Sequence, residues 1–262
     1  MDLGITGIDT AFNYHGFASH ATLREVGRDL LHRFTISTKV GFFSGRGAAE
    51  HSLDPARLRK ALEQTNRELG CTPRIVFLHN PERSLTGTSP EAARSTLAVA
   101  CAAMEDAKTD GLCEEWGIST WDPSPLLNSI DATAPRPAVL MIRCGLLVGV
   151  QTLQSSESLA EKWSDETTRV WGMGPFNCNA SDPVWSKFDA RVFLRSPQDK
   201  LSQAQAAFRV AYRLPQVSTV AVGTDDPTHL RELADALSYE VDEQAVHQYR
   251  ELLHRRAHSQ SV

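Results

Sequence analysis

Short apolar, β-branched stretches alternate with helix-like stretches along the whole chain, and this alternation limits the folds that the sequence can adopt. The rhythm is typical of parallel strands covered by helices, either in a closed barrel or in an open sheet. No linker, repeat or low-complexity tract interrupts it, so we expect one domain over residues 1–262. Seven strands are predicted, near residues 5–9, 34–40, 74–79, 115–119, 138–143, 168–172 and 217–222.

Composition narrows the classes of function. The net charge is −5 and no basic face stands out, so we expect no nucleic-acid partner. No apolar run is long enough to cross a bilayer, and the N-terminus lacks the basic head and apolar segment of a secretion signal. The five cysteines form no metal-binding spacing, which favours free thiols in a reducing compartment and no metal. We therefore expect a cytoplasmic protein with a small-molecule substrate and no membrane partner.

Polar side chains stand at the carboxyl ends of successive predicted strands, namely Asp9, Lys39, His79, Ser119 and Arg143. In closed parallel barrels and in open parallel sheets alike, ligands bind at the carboxyl ends of the strands. This shared position predicts an active site on that side of the sheet.

A phenol joins this set, because Tyr14 lies in the loop five residues after Asp9. A free phenol is too weak an acid to donate protons efficiently at neutral pH, and a nearby Lys39 ammonium would favour its ionised form. Asp9 would hold Lys39 by ion pairing, and His79 would donate to a substrate oxygen or orient it. Such a set can polarise a carbonyl or move protons. The simpler alternative is a helix-capping Asp9 and a core Tyr14.

These residues carry a resemblance to the aldo-keto reductases. The segment DTAFNYHG resembles that family's Asp-Thr-Ala-x-x-Tyr-Gly segment, STKVG its lysine strand and FLHNP its histidine strand, with weaker matches as far as about Leu237. The resemblance maps the family's catalytic tetrad onto Asp9, Tyr14, Lys39 and His79. It implies a (β/α)8 TIM barrel and hydride transfer from NADPH to a carbonyl.

One departure from the family concerns the start of the barrel. Only eight residues precede Asp9, too few for the strand and helix that the family places there, and this agrees with the seven predicted strands. We therefore expect a (β/α)8-type barrel without its first strand and helix. Exposed edges invite pairing, so the expectation is a partly open barrel or a homodimer that covers the gap. A sequence that begins after the first strand is the alternative.

A second departure concerns the nicotinamide. Ser119-Thr120 stands where the family has Ser-Asn. The hydroxyl of Thr120 cannot form the hydrogen bonds that a side-chain amide makes to a carboxamide. Met141 aligns where the family commonly has Gln, and Met173 where an aromatic ring commonly stacks on the nicotinamide.

The predicted phosphate loop is altered as well. The family's loop usually carries Ser, Lys or Arg, whereas this chain has Gly223, Thr224, Asp225 and Asp226. Two carboxylates beside a phosphate would repel it, and only Arg231 could offset them. Ser119, Gly223 and Arg231 are therefore predicted as weak or vestigial cofactor contacts. The favoured expectation is no cofactor, with NADPH as the alternative.

Three further residues are candidates for binding substrate. Arg143 would recognise a substrate carboxylate with two hydrogen bonds, or else form a structural ion pair with Asp122 or Glu115. Trp116 and Trp171 lie near predicted strand ends, where they would contact an aromatic substrate or pack in the core or rim.

Three functions follow from these patterns. The favoured one is a cofactor-independent lyase, dehydratase, isomerase or cyclase that acts on a small carbonyl compound through Tyr14, Lys39 and His79. The first alternative is an NADPH-dependent reductase of an aldehyde or ketone. The second is a non-catalytic barrel subunit.

Overall fold

The computed structural model describes residues 3–163, 167–195 and 201–259. The chain divides into two compact units. The N-terminal unit comprises Thr6–Met141 and Ser158–Arg169, and the C-terminal unit comprises Met1–Ile5, Ile142–Glu157 and Val170–Val262.

Strands and helices alternate as the sequence pattern predicts. The strands are β1 (Gly7–Asp9), β2 (Thr35–Val40), β3 (Phe42–Phe43), β4 (Glu50–His51), β5 (Ile75–His79), β6 (Glu115–Thr120), β7 (Val139–Arg143), β8 (Arg169–Met173) and β9 (Thr219–Ala221). The α-helices are α1 (Ser19–Gly27), α2 (Pro55–Leu69), α3 (Glu82–Leu85), α4 (Pro90–Thr109), α5 (Ser124–Leu127), α6 (Val150–Trp163), α7 (Gln203–Ala211), α8 (Pro227–Ala236) and α9 (Glu243–Ser259). Short 3-10 helices cover Tyr14–Phe17, Arg28–Arg33, Pro183–Ser186 and Ala190–Phe193.

Within the described residues, seven strands form one sheet in the order β1-β2-β5-β6-β7-β8-β9, and β3 pairs with β4 in a separate antiparallel hairpin. The pairs β1–β2, β2–β5, β5–β6 and β8–β9 are parallel. All seven predicted strands are present, which confirms the α/β class with parallel strands. None of the described helices is long and apolar enough to cross a membrane. The predicted homodimer stays a prediction.

Local sequence sets the bounds of α2. Asp54 caps its first turn, since its carboxylate accepts the N–H of Arg57 at 2.9 Å, and Pro55 occupies the first helical position. Gly70 ends the helix with a φ of 73°, a left-handed conformation in which glycine has no side chain to clash.

Each unit has its own apolar core. In the N-terminal unit, every residue of β5 is buried, as expected for a parallel strand covered on both faces. Helices α2 and α4 contribute Leu62, Leu97 and Met104 to the same cluster. In the C-terminal unit, α7 and α8 contribute Phe208 and Leu233 to a second cluster.

Parallel register brings the predicted catalytic strand ends to one edge of the N-terminal unit. Asp9 is opposite Ser37, Lys39 is opposite Phe77, and His79 is opposite Ser119. Because parallel strands end on the same side, the last residues of β1, β2, β5 and β6 lie together.

Candidate active site

The N-terminal unit brings the four tetrad candidates together. Lys39 forms an ion pair with the Oδ2 atom of Asp9. Its Nζ atom lies 5.1 Å from the centre of the Tyr14 ring, and that ring lies 6.0 Å from the imidazole of His79, edge to face. One phenol, one ammonium, one carboxylate and one imidazole therefore share one end of the strands.

Lys39 is held by hydrogen bonds on the buried side of this cluster. Its side chain is 2% exposed, and Nζ also donates to the carbonyl of Thr10 at 2.9 Å. Ser37 donates to the other oxygen of Asp9 at 2.7 Å, which fixes the carboxylate. A buried charge needs such partners, and here they fix the ammonium beside Tyr14.

His79 is kept neutral by its surroundings. Burial is the largest cause, and the charge of Lys39 adds to it, so that the pKa of His79 falls to about 3. The neutral imidazole has one donor and one acceptor nitrogen at physiological pH. His79 is therefore suited to donate a hydrogen bond to an oxygen rather than to carry a proton as a cation.

His51, from hairpin strand β4, holds the backbone at His79. Its Nε2 atom lies 2.8 Å from the carbonyl oxygen of His79, and its Nδ1 atom lies 2.7 Å from the hydroxyl of Ser84. Burial lowers the pKa of His51, so the neutral ring donates through Nε2 and accepts from Ser84. Gly41 makes room for this contact, because a Cβ there would lie 3.0 Å from the carbonyl oxygen of His79.

Glu82 ties the chain after β5 to the chain after β6. Its buried carboxylate accepts the N–H of Trp121 at 2.9 Å and that of Asp122 at 3.3 Å. Burial raises the pKa of this carboxyl group. These bonds fix the backbone that follows Ser119, which lies buried at the end of β6.

The structure places Trp116 away from the tetrad. Its side chain is 1% exposed and belongs to the apolar core, and its indole N–H donates to Glu105 of α4 at 2.7 Å. The side chain therefore faces the helix layer, where it packs rather than contacts a substrate. Strand alternation explains this direction, because Trp116 lies three residues before Ser119 on β6, and side chains at that spacing point to opposite faces.

The other two substrate candidates belong to the C-terminal unit. Arg143 ends β7, and its Nη2 atom donates to the side-chain oxygen of Asn177 at 2.5 Å. Trp171 lies in β8, opposite Thr219 of β9, and is partly exposed. Glu115, one of the two partners that the sequence suggested for Arg143, is bound by Arg169 at 2.6 Å.

The turn before α8 contains the predicted phosphate contacts. Gly223 is exposed, and a Cβ there would meet nothing within 4 Å. Asp226 caps the helix: its carboxylate accepts the N–H of Thr228 at 2.7 Å, and that bond lowers its pKa. Arg231 is exposed on α8.

Sequence reasoning missed three side chains around the tetrad, Phe42, His51 and Glu82. All three follow a predicted strand end closely, either in the glycine-rich segment after Lys39 or directly after His79-Asn80-Pro81. Loops after parallel strands commonly carry functional residues, so the position of these three residues after strand ends could have indicated that they lie near the site.

Comparison with known proteins identifies the fold and the family. The profile of the Aldo/keto reductase family matches residues 1–175. A search of curated proteins finds no match. An aldo-keto reductase from Bacillus halodurans, solved in its holo form, superposes with a TM-score of 0.71 at 19% identity, over 96% of this chain and 83% of that one.

A second neighbour is an aldo-keto reductase from Klebsiella pneumoniae in complex with NADPH. It superposes with a TM-score of 0.66 at 17% identity, over 96% of this chain and 81% of that chain. An aldo/keto reductase from the same organism, in complex with NADP and acetate, has the same TM-score at 18% identity, over the same shares of the two chains. These neighbours confirm the predicted (β/α)8-type fold.

The same neighbours contradict the expectation of an enzyme without a cofactor, which is wrong. Two of them were crystallised with NADPH or NADP. The expectation depended on side chains alone, and counted Asp225 and Asp226 as two repelling charges. Asp226 is bonded to its own helix as a cap, and backbone N–H groups and open glycines also hold phosphates.

Proposed function

The chain belongs to the aldo/keto reductase family, and on this premise we propose that it reduces a small aldehyde or ketone with a hydride from NADPH. The observation that carries the proposal is the cluster of Asp9, Tyr14, Lys39 and His79 in the N-terminal unit. A binding subunit has no need of these four groups together, whereas carbonyl reduction needs a proton donor and a group that polarises the oxygen.

Each residue has one task in this proposal. Tyr14 donates a proton to the carbonyl oxygen as that oxygen gains negative charge, and the nearby Lys39 ammonium stabilises the phenolate left behind. Asp9 fixes Lys39 in place. His79, neutral at physiological pH, donates a hydrogen bond that orients and polarises the carbonyl.

Within each unit, considered separately, residues suit one part of a nicotinamide dinucleotide. In the N-terminal unit, Ser119 lies near the end of β6, beside the strand that carries His79, and is suited to contact the nicotinamide carboxamide. In the C-terminal unit, Gly223 leaves open space before α8, and Arg231 supplies a cation on that helix that suits a phosphate. The bound cofactor would supply the hydride for the carbonyl carbon, and Tyr14 would supply the proton for the oxygen, so that the carbonyl becomes an alcohol.

Consumption of NADPH during incubation with a set of aldehydes and ketones tests this proposal. We expect turnover by the wild-type chain, and for Tyr14→Phe a loss of about 100-fold or more, the usual contribution of a general acid. Tyr14 is 43% exposed, so this change should leave the fold intact. Tyr239→Phe, outside the tetrad, is the matched control and should retain activity. Calorimetry that detects no NADPH binding, together with no turnover, would contradict the proposal.

A further inference from the structure

The ring of Phe42 lies at the centre of a group of side chains beside the tetrad. The imidazoles of His79 and His51 each lie 4.9 Å from the ring centre, edge to face. The guanidinium of Arg83 lies 5.4 Å from the same centre. Phe42 thus neighbours both the candidate carbonyl-binding residue, His79, and the guanidinium of Arg83 in α3.

This group is built on a segment whose backbone is fixed. His51 bonds both the carbonyl of His79, the last residue of β5, and the hydroxyl of Ser84 in α3. The backbone N–H of Arg83 donates to the carbonyl of Asn80 at 3.1 Å. The turn from β5 into α3, which carries Arg83, is therefore held from both sides, and the backbone position of Arg83 relative to His79 is set.

Two arginines stack on neighbouring phenylalanines of β3, but their charges differ in pairing. Arg57 lies 4.4 Å from the ring centre of Phe43 and forms an ion pair with Glu50 at 3.4 Å. Arg83 is exposed on Phe42, and no carboxylate of the described residues forms an ion pair with it. A guanidinium ordered on an aromatic face and left without a counterion is suited to bind an anion.

We propose that Arg83 binds a carboxylate on the substrate, so that the preferred substrates are small aldehydes or ketones that also carry a carboxylate. This inference rests on the proposed reductase function. Arginine presents parallel N–H donors that match the two oxygens of a carboxylate. A substrate whose carbonyl oxygen is held by His79 and Tyr14 would place its carboxylate on Arg83, with its apolar part against the half-buried Phe42.

The distances limit the size of such a substrate. The guanidinium of Arg83 lies 5.4 Å and the imidazole of His79 lies 4.9 Å from the centre of the same phenyl ring, so the two groups are at most about 10 Å apart. 4-Carboxybenzaldehyde has an aldehyde and a carboxylate at opposite ends of such a ring. Its methyl ester has nearly the same shape without the charge, and so it is the matched probe.

The test compares kcat/KM for 4-carboxybenzaldehyde and for its methyl ester, with NADPH. For the wild-type chain we expect the acid to be preferred. For Arg83→Gln we expect kcat/KM for the acid to fall about tenfold or more, mainly through KM, with the ester unchanged. Arg83→Lys should restore part of the preference, because it keeps the charge without the paired donors. Arg57→Gln, the paired arginine on Phe43, is the matched control and should keep the wild-type preference.

The outcomes separate this inference from the proposed function. A wild-type chain that reduces neither probe nor any other carbonyl contradicts the proposed function. A chain that reduces both probes equally well, or whose preference survives Arg83→Gln, contradicts the assignment of Arg83 alone. A third outcome is that Arg143→Gln loses the preference for the acid while Arg83→Gln keeps it. That result would assign carboxylate binding to Arg143, as the sequence suggested, and would overturn the proposal for Arg83.

Discussion

The ammonium of Lys39 is the residue-scale feature on which the candidate site depends. It is almost fully buried, and its partners are the carboxylate of Asp9 and the carbonyl of Thr10. A buried charge without its partner is strongly destabilising, whereas removal of both charges together can be nearly neutral. Asp9 and Lys39 should therefore contribute to stability as a pair, whereas in catalysis Asp9 acts only by holding Lys39 beside Tyr14.

Replacement of either partner should reveal this coupling. Asp9→Ala leaves the buried ammonium without its counterion and should lower the free energy of unfolding by roughly 3 kcal/mol. Lys39→Met leaves a carboxylate whose side chain is 23% exposed, so its loss should be smaller. The double variant should be more stable than Asp9→Ala alone but inactive. Urea unfolding, followed by circular dichroism, measures all three; additive losses would contradict the coupling.

At the scale of elements, the β3–β4 hairpin supports the site from outside the main sheet. It contributes Phe42 and His51, and both contact His79 from the loop that follows Lys39. Gly41, between β2 and β3, adopts a φ of 144° at the point where the backbone passes closest to His79. The hairpin is therefore placed by a backbone conformation that other residues rarely adopt.

Gly41→Ala tests the placement of the hairpin. The new Cβ would lie 3.0 Å from the carbonyl oxygen of His79 and 3.2 Å from Nε2 of His51, and the backbone conformation adds strain. We expect a loss of about 1–3 kcal/mol in the free energy of unfolding and a fall in kcat. Gly149→Ala is the matched control, because a Cβ at Gly149 meets nothing within 4 Å. Equal thermal midpoints for the two variants would show that Gly41 is not required.

At the scale of the whole molecule, the buried histidines His20 and His79 and the half-buried His51 link stability to pH. Burial is the largest cause of the lowered pKa of His20, His51 and His79. Between pH 6.5 and the lower folded pKa of each group, the unfolded chain binds more protons than the folded chain. Their contribution to stability is therefore present above pH 6.5 and is lost as the pH falls, down to about pH 3 for His79. Burial raises the pKa of Glu82, so the contribution of Glu82 to stability changes with pH in the opposite direction.

Stability should accordingly fall when the pH is lowered from 7.5 to 5.5. Urea midpoints measured at the two values give the size of the effect. His20→Gln, which removes a histidine outside the tetrad that bonds Thr38 at 2.7 Å, should reduce this pH dependence. His32→Gln, at an exposed histidine, is the control and should retain it. A stability that is the same at both pH values would contradict a dominant role for the buried histidines.

The sequence alone determined the strands, their parallel order along the chain and the strand-end residues Asp9, Lys39 and His79. These follow from short-range rules, because β-branched runs form strands and parallel strands end on one side. The sequence determined the bounds of the first and last strands less accurately. It predicts strands over residues 5–9 and 217–222, whereas β1 covers Gly7–Asp9 and β9 covers Thr219–Ala221.

Only the tertiary structure decided which side chains surround these strand ends. Trp116 faces α4, whereas Phe42 and His51, on segments that the sequence pattern predicts as loops, contact His79, and Arg83 lies on the ring of Phe42. The role of Asp226 likewise depends on where α8 begins. Its carboxylate accepts the N–H of Thr228 and so caps the helix. The physical reason is that side-chain direction and loop contacts depend on how distant segments pack, which no local pattern in the chain records.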